Sequence, residues 1–378
     1  MTVQPFRVNV PERALIDLRE RIQRTRWPDE ITNSGWTSGA NLSYMKELAE
    51  YWLTKFDWRK IEHEINSDPN FLAEIDGYKI HYLHIKGTGK TSIPLIALHG
   101  WPGSFLEMMK LIPLLTNNAE LTFDLVIPSL MGYGFSQKIT DPGCNLQFMG
   151  RLYCKLMKEL HYEKFGVHGG DFGSGLGMVL ALNYPQNVIG LHLNNIEGYY
   201  TPYVPEGEKL TEEEIQYEKD GDEWYNREGA YSHQQRTKPL TLAYGLNDSP
   251  IGLCAWIIEK FFAWSDCNEN IESVFTKDEL LANVTLYWVT ETLHSSIRLY
   301  NESRRAPLHL TKDDFAKVPV GIVRFPMEDA IPPRKYVERG FNVQRWTNMP
   351  AGGHFASMEQ PEMLAGDIKD FFRSLQVG

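Results

Sequence analysis

Apolar and polar residues follow one another in blocks along this chain, and the blocks predict its secondary structure. Short apolar runs, most of them joined to a helical pattern by a turn, lie at 93–98, 123–127, 164–168, 188–193, 320–325 and 343–346. Unbroken apolar strands that alternate with helices indicate a parallel sheet covered by helices on both faces. A final helix is predicted after Pro361. The pattern therefore predicts an α/β protein.

The first 70 residues depart from this pattern. They open with an amphipathic helix whose apolar residues recur at helical spacing, at Leu15, Ile16, Leu18 and Ile22. A second helix is predicted at 44–54, and a hairpin at 73–83 is expected to turn at Asp76 and Gly77. We interpret residues 1–70 as a meander that wraps the main domain.

Strand signals stop after about residue 198, where helical patterns dominate at 211–219, 252–264 and 277–300. Because the strands resume near 315, we interpret this stretch as a helical cap inserted into a single sheet domain. The predicted organisation has four parts, namely the meander at 1–70, a first core segment at 71–197, the cap at 198–314 and a second core segment at 315–378.

The composition narrows the class of protein without naming a reaction. The 378 residues are 42 % hydrophobic and 23 % charged, which excludes disordered and low-complexity classes. With 38 basic and 49 acidic residues, the net charge of −11 argues against nucleic-acid or anionic-membrane binding. The sequence shows neither a secretory signal nor an apolar run of about 18 residues. Its four cysteines lack CxxC spacing, as is typical of free thiols in a reducing compartment, so we expect a cytoplasmic protein.

The segment Gly-Gly-Asp-Phe-Gly at 169–173 lies between an apolar run and a helical pattern. A nucleophile flanked by small residues at a strand-to-helix turn is typical of a nucleophile elbow, because the sharp turn leaves no room for neighbouring side chains. The central residue here is Asp171, and a carboxylate nucleophile attacks an sp³ carbon and leaves an alkyl ester. The alternative is that Asp171 only caps the following helix.

A second turn predicts how an oxyanion would be stabilised. His-Gly-Trp-Pro at 99–102 follows an earlier apolar run, where folds with a nucleophile elbow place a second oxyanion donor. We therefore expect the backbone N–H groups of Trp101 and Phe172 to face the developing oxyanion. A common tight turn is the alternative interpretation of this segment.

The third segment, Gly-Gly-His-Phe at 352–355, precedes the last helix and makes His354 a candidate general base. A carboxylate pair, Glu328 and Asp329, follows a predicted strand and lies between Asp171 and His354 in the chain. Nucleophile, acid and base then occur in the chain order of the α/β-hydrolase fold. Either carboxylate could orient His354, and we favour Glu328.

Taken together, these segments resemble the α/β-hydrolase-fold epoxide hydrolases of the microsomal type, a branch that includes the juvenile hormone epoxide hydrolases. The resemblance covers nearly the whole chain, and its most discriminating motifs lie in the cap. The matching segments are 24–28, 99–104, 169–173, 235–239 (Gln-Arg-Thr-Lys-Pro), 245–253 (Gly-Leu-Asn-Asp-Ser-Pro-Ile-Gly-Leu), 325–328 and 352–356. The resemblance implies an α/β-hydrolase fold with a helical cap and an N-terminal meander.

The family's site residues carry over by position. The resemblance implies Asp171 as nucleophile, His354 as the base that activates water and Glu328 as the partner of His354. It also implies two cap tyrosines, Tyr231 and Tyr300, that donate to the epoxide oxygen, as suits phenols with a pKa near 10. The rival tyrosines, should the correspondence shift, are Tyr203, Tyr225 and Tyr244.

The implied reaction opens an epoxide into a vicinal diol through a hydroxyalkyl ester of Asp171, and it uses no metal and no organic cofactor. His81 and His84 alternate within the predicted hairpin without further ligands, so we interpret them as strand residues rather than a metal site. The implied substrate is a small apolar epoxide, and Phe261, Phe262 and Trp264 suit either its pocket or a packed helix. Family members of the endoplasmic reticulum carry a membrane anchor, which we do not expect here.

Two other functions remain open at this point. Haloalkane and haloacid dehalogenases use an Asp nucleophile on the same fold, with halide-binding donors in place of the tyrosine pair. A non-catalytic ligand-binding relative is the second alternative, and such proteins typically lack a triad residue. The residues do not specify an oligomeric state, and a homodimer is compatible with them.

Overall fold

The computed structural model of the chain describes residues 2–117, 120–196, 200–328 and 332–375. In these residues a single sheet contains nine strands: β1 (Thr2–Pro5), β2 (Asn70–Ile75), β3 (Tyr78–Ile85), β4 (Thr91–Leu98), β5 (Leu121–Pro128), β6 (Phe165–Gly169), β7 (Val188–Leu193), β8 (Ala316–Arg324) and β9 (Phe341–Asn348). Their spatial order is β1-β2-β3-β5-β4-β6-β7-β8-β9.

The sheet is antiparallel at one end and parallel over the rest. β1, β2, β3 and β5 pair antiparallel in turn, whereas β5, β4, β6, β7, β8 and β9 are parallel neighbours. β6 is buried at every position, as expected for a parallel strand covered on both faces. The predicted α/β architecture is therefore confirmed.

The N-terminal segment differs from its prediction in three details. Its helices are α1 (Glu12–Gln23), α2 (Leu42–Thr54) and α3 (Trp58–Ile65), of which α3 was not predicted. The strand β1 was not predicted either, and it extends the antiparallel edge. In α1 the residues Leu15, Leu18 and Ile22 are buried, but Ile16 is 48 % exposed because it lies beside this stripe of three.

The predicted hairpin is confirmed. Ile75 pairs with Tyr78 across the turn, and both turn residues have positive φ, 52° at Asp76 and 82° at Gly77. Asp and Gly are the residues that tolerate this conformation in two-residue hairpin turns. The hairpin therefore fixes the register of β2 against β3.

The helices of the two core segments pack around the sheet. They are α4 (Leu111–Thr116), α5 (Leu146–Glu159) and α6 (Phe172–Asn183) in the first core segment, and α13 (Arg334–Glu338), α14 (Ala356–Glu359) and α15 (Pro361–Ser374) in the second. Asp171 directly precedes α6, and His354 lies two residues before α14, so the starts of these two helices carry the predicted nucleophile and base.

The stretch predicted as a cap consists mainly of helices. It contains α7 (Glu212–Glu228), α8 (Ala230–Thr237), α9 (Pro239–Leu246), α10 (Pro250–Ala263), α11 (Lys277–Thr290) and α12 (Leu293–Arg305). The prediction of one helix over 277–300 is wrong, because Glu291 adopts the left-handed conformation with φ 53° and ends α11. The predicted boundary at 197–198 lies outside the described residues, and the division into four parts stays a prediction. Every helix in the described ranges is too short or too polar to cross a bilayer.

Candidate active site

The predicted elbow lies where β6 ends and α6 begins. Asp171 has φ 52° and ψ −129°, a strained conformation of the kind that marks functional turns. A Cβ at Gly173 would overlap the carbonyl oxygen of Leu98, so glycine is required for the close approach of α6 to β4. The N–H of Asp171 donates to Asn195 Oδ1 at 2.8 Å. These contacts hold Asp171 at the edge of the sheet.

The two oxygens of the Asp171 carboxylate have different surroundings. Oδ1 accepts from the N–H of Trp101 at 2.8 Å and from the N–H of Phe172 at 2.7 Å. The bond from Phe172 also makes Asp171 the cap of α6, so the nucleophile and cap interpretations describe the same residue. A Cβ at Gly100 would overlap this carboxylate, and the Trp101–Pro102 peptide bond is cis. The predicted oxyanion donors therefore converge on one oxygen.

His354 lies on the other side of the carboxylate. Its Nε2 is 3.7 Å from Asp171 Oδ2, and its Nδ1 is 2.8 Å from Glu328 Oε2. Glu328 only accepts in its ionised form, so Nδ1 carries a proton and Nε2 is the nitrogen available to a reacting group. The rival carboxylate, Asp329, lies outside the described residues. The structure thus brings Asp171, His354 and Glu328 together, with a hydrogen bond between His354 and Glu328 and a close charged contact between His354 and Asp171.

Charge and burial oppose one another at this group. Burial disfavours the imidazolium, but the carboxylates of Glu328 and Asp171 outweigh burial and raise the pKa of His354 to about 9. Burial raises the pKa of Asp171, while His354 and the two N–H donors act against that shift. Esterification of Asp171 would remove one of the charges that raise the pKa of His354. The histidine would then lose its proton more easily, so a larger fraction of it would be neutral and able to accept a proton from water.

A loop from the cap holds the histidine in place. The N–H of His354 donates to the carbonyl oxygen of Trp264 at 2.9 Å, just after α10. Asp266 accepts from the N–H of Gly352 through Oδ2 at 2.8 Å, and its own N–H donates to Glu359 Oε2 at 2.8 Å. The histidine loop and the end of α10 therefore form one hydrogen-bonded unit.

Both predicted tyrosines pack against the oxyanion loop. The ring of Tyr231, on α8, stacks on Trp101 with centroids 5.2 Å apart, and the ring of Tyr300, on α12, meets Trp101 edge-on at 5.8 Å. Tyr300 also lies 4.7 Å from the Phe172 ring. The two tyrosine rings are 6.0 Å apart. They therefore lie together over the two residues whose N–H groups hold Asp171.

The rival tyrosines lie elsewhere. Tyr203 is 38 % exposed and Tyr244 is 76 % exposed. The hydroxyl of Tyr225 is 3.2 Å from His233 Nδ1 at the surface. Tyr231, by contrast, is buried, and the buried Lys260 has its Nζ 4.9 Å from the centroid of the Tyr231 ring. The aromatic residues 261 and 262 pack as core, on Phe355 and Trp36 respectively, whereas Trp264 borders Tyr231 and His354.

A third carboxyl group at this site, that of Glu107, was missed in the analysis of the motifs. Glu107 borders the same small cavity as Asp171 and His354, and its carboxyl group occupies the space that a Cβ at Gly103 would fill. Burial raises the pKa of Glu107 to about 8, so this side chain is mainly protonated at neutral pH and can donate a hydrogen bond. The signal that could have revealed it is an acidic residue close behind the oxyanion turn.

Two residues of α11 were also missed. Asn283 Nδ2 donates to the carbonyl oxygen of Pro102 at 2.8 Å, and the Tyr287 hydroxyl donates to that of Gly103 at 2.7 Å. Both side chains are buried, and one helical turn separates them, so they present two polar groups on one face of the helix. They fix the loop whose Trp101 N–H holds Asp171.

Comparison with known proteins identifies the family. The family model "Epoxide hydrolase N terminus" matches residues 3–108, and the model "alpha/beta hydrolase fold" matches residues 93–241. The chain is 36 % identical to Epoxide hydrolase 1 of Oryctolagus cuniculus, over 98 % of this chain and 88 % of that protein. This chain belongs to the epoxide hydrolase family.

Solved structures agree with this epoxide hydrolase assignment. The juvenile hormone epoxide hydrolase of the silkworm Bombyx mori matches with a TM-score of 0.86 at 29 % identity, over 99 % of this chain and 94 % of that chain. The epoxide hydrolase of Aspergillus niger matches with a TM-score of 0.85 at 29 % identity, over 99 % and 97 %. The predicted α/β-hydrolase fold is therefore confirmed, together with the resemblance to the juvenile-hormone branch.

The histidines His81 and His84 lie on β3 of this epoxide hydrolase-family chain. His81 is buried, with Nδ1 2.9 Å from Ser129 Oγ and Nε2 3.0 Å from Asn70 Oδ1. The ring nitrogens of His81 are thus engaged by neutral side chains. Within the described ranges, no group of three or more His, Cys, Asp or Glu side chains could hold a metal ion.

Proposed function

We propose that this protein converts an apolar epoxide and water into a vicinal diol through a covalent ester on Asp171. The observation that supports this proposal is the asymmetry of the Asp171 carboxylate. Oδ1 is held by two N–H groups, whereas Oδ2 lies 3.7 Å from His354 Nε2. One oxygen is thus placed to bear charge, and the other is available to form a bond.

In the first step Asp171 Oδ2 attacks one carbon of the epoxide, and the bond from that carbon to the epoxide oxygen breaks. Tyr231 and Tyr300 donate hydrogen bonds to this oxygen, and one of them transfers a proton to it. An alkoxide is a strong base, so a phenol supplies the proton readily as the charge develops. The product is a hydroxyalkyl ester whose carbonyl oxygen is Oδ1.

In the second step His354, oriented by Glu328, takes a proton from a water that attacks Cγ of Asp171. The negative charge forms on Oδ1, where the N–H groups of Trp101 and Phe172 already point. The Cγ–Oδ2 bond breaks, and His354 returns its proton to the departing diol oxygen. The remaining proton of water leaves the new carboxyl group and restores the tyrosine. None of these steps requires a metal or an organic cofactor.

Aromatic rings support an apolar substrate. The rings of Trp101, Tyr231, Tyr300, Phe172 and Trp264 form a continuous set of contacts with centroid separations of 4.7 to 6.4 Å. An aromatic surface of this kind favours apolar substituents. Two of the relatives with similar folds are named for juvenile hormone and for epoxides in general, and an apolar epoxide suits both names.

A single turnover in ¹⁸O-labelled water tests the covalent route. The first diol formed should contain no label, because its new oxygen is Oδ2 of Asp171, and the label should appear in the peptide that contains Asp171. Label confined to the diol on the first turnover would show direct attack of water and contradict the proposal.

The alternatives make different products. A dehalogenase would release halide from haloalkanes, and a non-catalytic relative would bind substrate without forming a diol. Parallel assays of diol and halide separate these functions, and the tyrosine pair on Trp101 favours the diol. The cytoplasmic location and the homodimer stay predictions, which fractionation of the source cells and sedimentation of the purified protein can test.

A further inference from the structure

A small cavity lies on the core side of Asp171. It is bordered by Glu107, His168, Asn194, Asp171 and His354, and no cap residue is among its described lining. Its interior has room for about one water molecule. We call it the water chamber. The proposed second step consumes one water, so the contents of this chamber bear directly on that step.

His168, one of the residues that border the chamber, has a buried ring nitrogen without a hydrogen-bond partner in the described part of the chain. His168, on β6, is fully buried, and its Nε2 has no hydrogen-bond partner among the described residues. Its Nδ1 lies 3.1 Å from His192 Nδ1 on the neighbouring strand β7. Because Nδ1 is turned to His192, Nε2 is the polar atom that the ring offers to the chamber. A buried nitrogen without a partner is destabilising unless a ligand or water fills the space.

A hydrogen-bonded chain sets the role of that nitrogen. His192 Nε2 is 3.0 Å from Asp367 Oδ2, and Arg345 Nε donates to Asp367 Oδ1 at 2.9 Å. Burial would raise the pKa of Asp367, but the bonds from His192 and Arg345 outweigh it and keep the pKa well below its ordinary value. Asp367 is therefore a carboxylate, and His192 Nε2 donates its proton to it.

The tautomers then follow along the chain. In its neutral form, a His192 that donates from Nε2 presents a lone pair at Nδ1, and this lone pair accepts from the Nδ1–H of His168. Burial lowers the pKa of His168 to about 3, which keeps that ring neutral. With its proton on Nδ1, His168 presents the lone pair of Nε2 to the chamber. In this tautomer the bond from His192 to Asp367 leaves His168 Nε2 as a hydrogen-bond acceptor on the wall of the chamber.

We propose that the water chamber binds the water of the second step and that His168 Nε2 is the acceptor that orients it, as the end of the His168–His192–Asp367 chain. This inference rests on the proposed function. One O–H of the water donates to His354 Nε2, and the other donates to His168 Nε2. The protonated Glu107 donates to one lone pair, which leaves the second lone pair directed at Cγ of Asp171.

The bond changes of the second step are unaltered by this assignment. His354 alone takes the proton that is transferred, and His168 keeps its own proton on Nδ1 throughout. His168 is therefore a positioning residue for water. Its removal should slow ester hydrolysis without slowing ester formation, since the epoxide is opened on the cap side.

Two substitutions of the same residue separate the chamber contact from the contact with His192. In His168→Asn the side-chain amide can replace Nδ1 but cannot reach the position of Nε2. In His168→Gln the longer amide can replace Nε2 and loses the bond to His192. Rapid-mixing kinetics with intact-protein mass spectrometry measure ester formation and ester hydrolysis separately.

We expect His168→Asn to slow ester hydrolysis by about 10- to 100-fold, with ester formation within about twofold of the unmodified protein. The values of kcat and KM should then fall together while kcat/KM is unchanged, because kcat/KM reports only the steps through ester formation. His168→Gln should hydrolyse the ester faster than His168→Asn. A purely structural role predicts the opposite order, because His168→Gln breaks the bond to His192.

His81→Asn is the matched control, since His81 is also a buried neutral histidine in the same sheet and does not border the chamber. It should leave both rate constants within about twofold. Equal slowing of ester formation and hydrolysis in His168→Asn, or no slowing at all, would overturn the inference. If the unmodified protein forms no ester, the proposed function itself fails, and the two failures are thus distinguishable.

Discussion

The two sides of Asp171 are built from different chemical groups. On the cap side, Tyr231 and Tyr300 pack with Trp101 into an aromatic surface. On the core side, Glu107 and His168 border a chamber for about one water. An apolar epoxide suits the first side, and a single oriented water suits the second. The difference indicates that substrate and water need not compete for one space, because each step of the proposed reaction has its own face of the carboxylate.

Removal of the Asp171 carboxylate should abolish the reaction on both the cap side and the core side. In Asp171→Ala neither face has a group to act on, so we expect kcat for diol formation to fall by about 10⁴-fold or more. The measurement is diol formation by the purified variant, with circular dichroism as the control for folding. Diol formation at the unmodified rate would show that the elbow has another role.

Replacement of His354 should block the second step of the proposed reaction while the first step still occurs. In His354→Gln the cap side still opens the epoxide, but no base activates the water, so ester hydrolysis should slow by about 10³-fold. Intact-protein mass spectrometry should show the ester accumulating to one equivalent. A variant that forms no ester and is correctly folded would mean that His354 acts in the first step as well.

The tyrosines test the cap side alone. Tyr231→Phe and Tyr300→Phe should each lower the rate of ester formation by about 10- to 100-fold, since one donor to the epoxide oxygen is lost while the ring packing is retained. Hydrolysis of preformed ester should be much less affected. Tyr244→Phe is the control because Tyr244 is 76 % exposed. Unchanged ester formation in both variants would exclude the pair as donors.

The smallest effect concerns the core side and depends on pH. Burial raises the pKa of Glu107 to about 8, so the carboxyl group is a hydrogen-bond donor below that pH and an anion above it. An anion in the cavity that Asp171 also borders should disfavour the negative charge of the second step and slow ester hydrolysis by about 3- to 10-fold as the pH rises through 8. Glu107→Gln keeps a donor that does not ionise, so its hydrolysis rate should lack this alkaline decrease. An identical decrease in both proteins would assign it to another group.

The parts of the site that the sequence predicts are those set by local turns. Asp171, Trp101, Phe172 and His354 all follow strands in glycine-rich segments, so residue pattern and fold type were sufficient to place them. Glu328 was favoured from its place in the chain, and the resemblance implied the same residue; its carboxylate lies 2.8 Å from His354 Nδ1.

The remaining residues depend on contacts between distant segments. Tyr231 and Tyr300 carry no local signal, and only resemblance to the family selected them from 18 tyrosines. His168 and His192 are unremarkable within their apolar strands, and their pairing exists because β6 and β7 are neighbours in register. The helix break at Glu291 likewise follows from its left-handed backbone rather than from a Gly or Pro. Packing across the sheet and between helices determines these features.

The bonds between the histidine loop and the end of α10 matter for anyone who would recombine this protein with its relatives. His354 and Trp264 belong to different parts of the predicted division, yet the backbone of one is bonded to that of the other at 2.9 Å. A cap transplanted from a relative therefore brings its own hydrogen-bond partner for the loop that carries the proposed base. Chimeras that exchange the cap together with the loop around His354 should keep the base aligned, whereas exchanges that follow the domain boundary alone should misplace it.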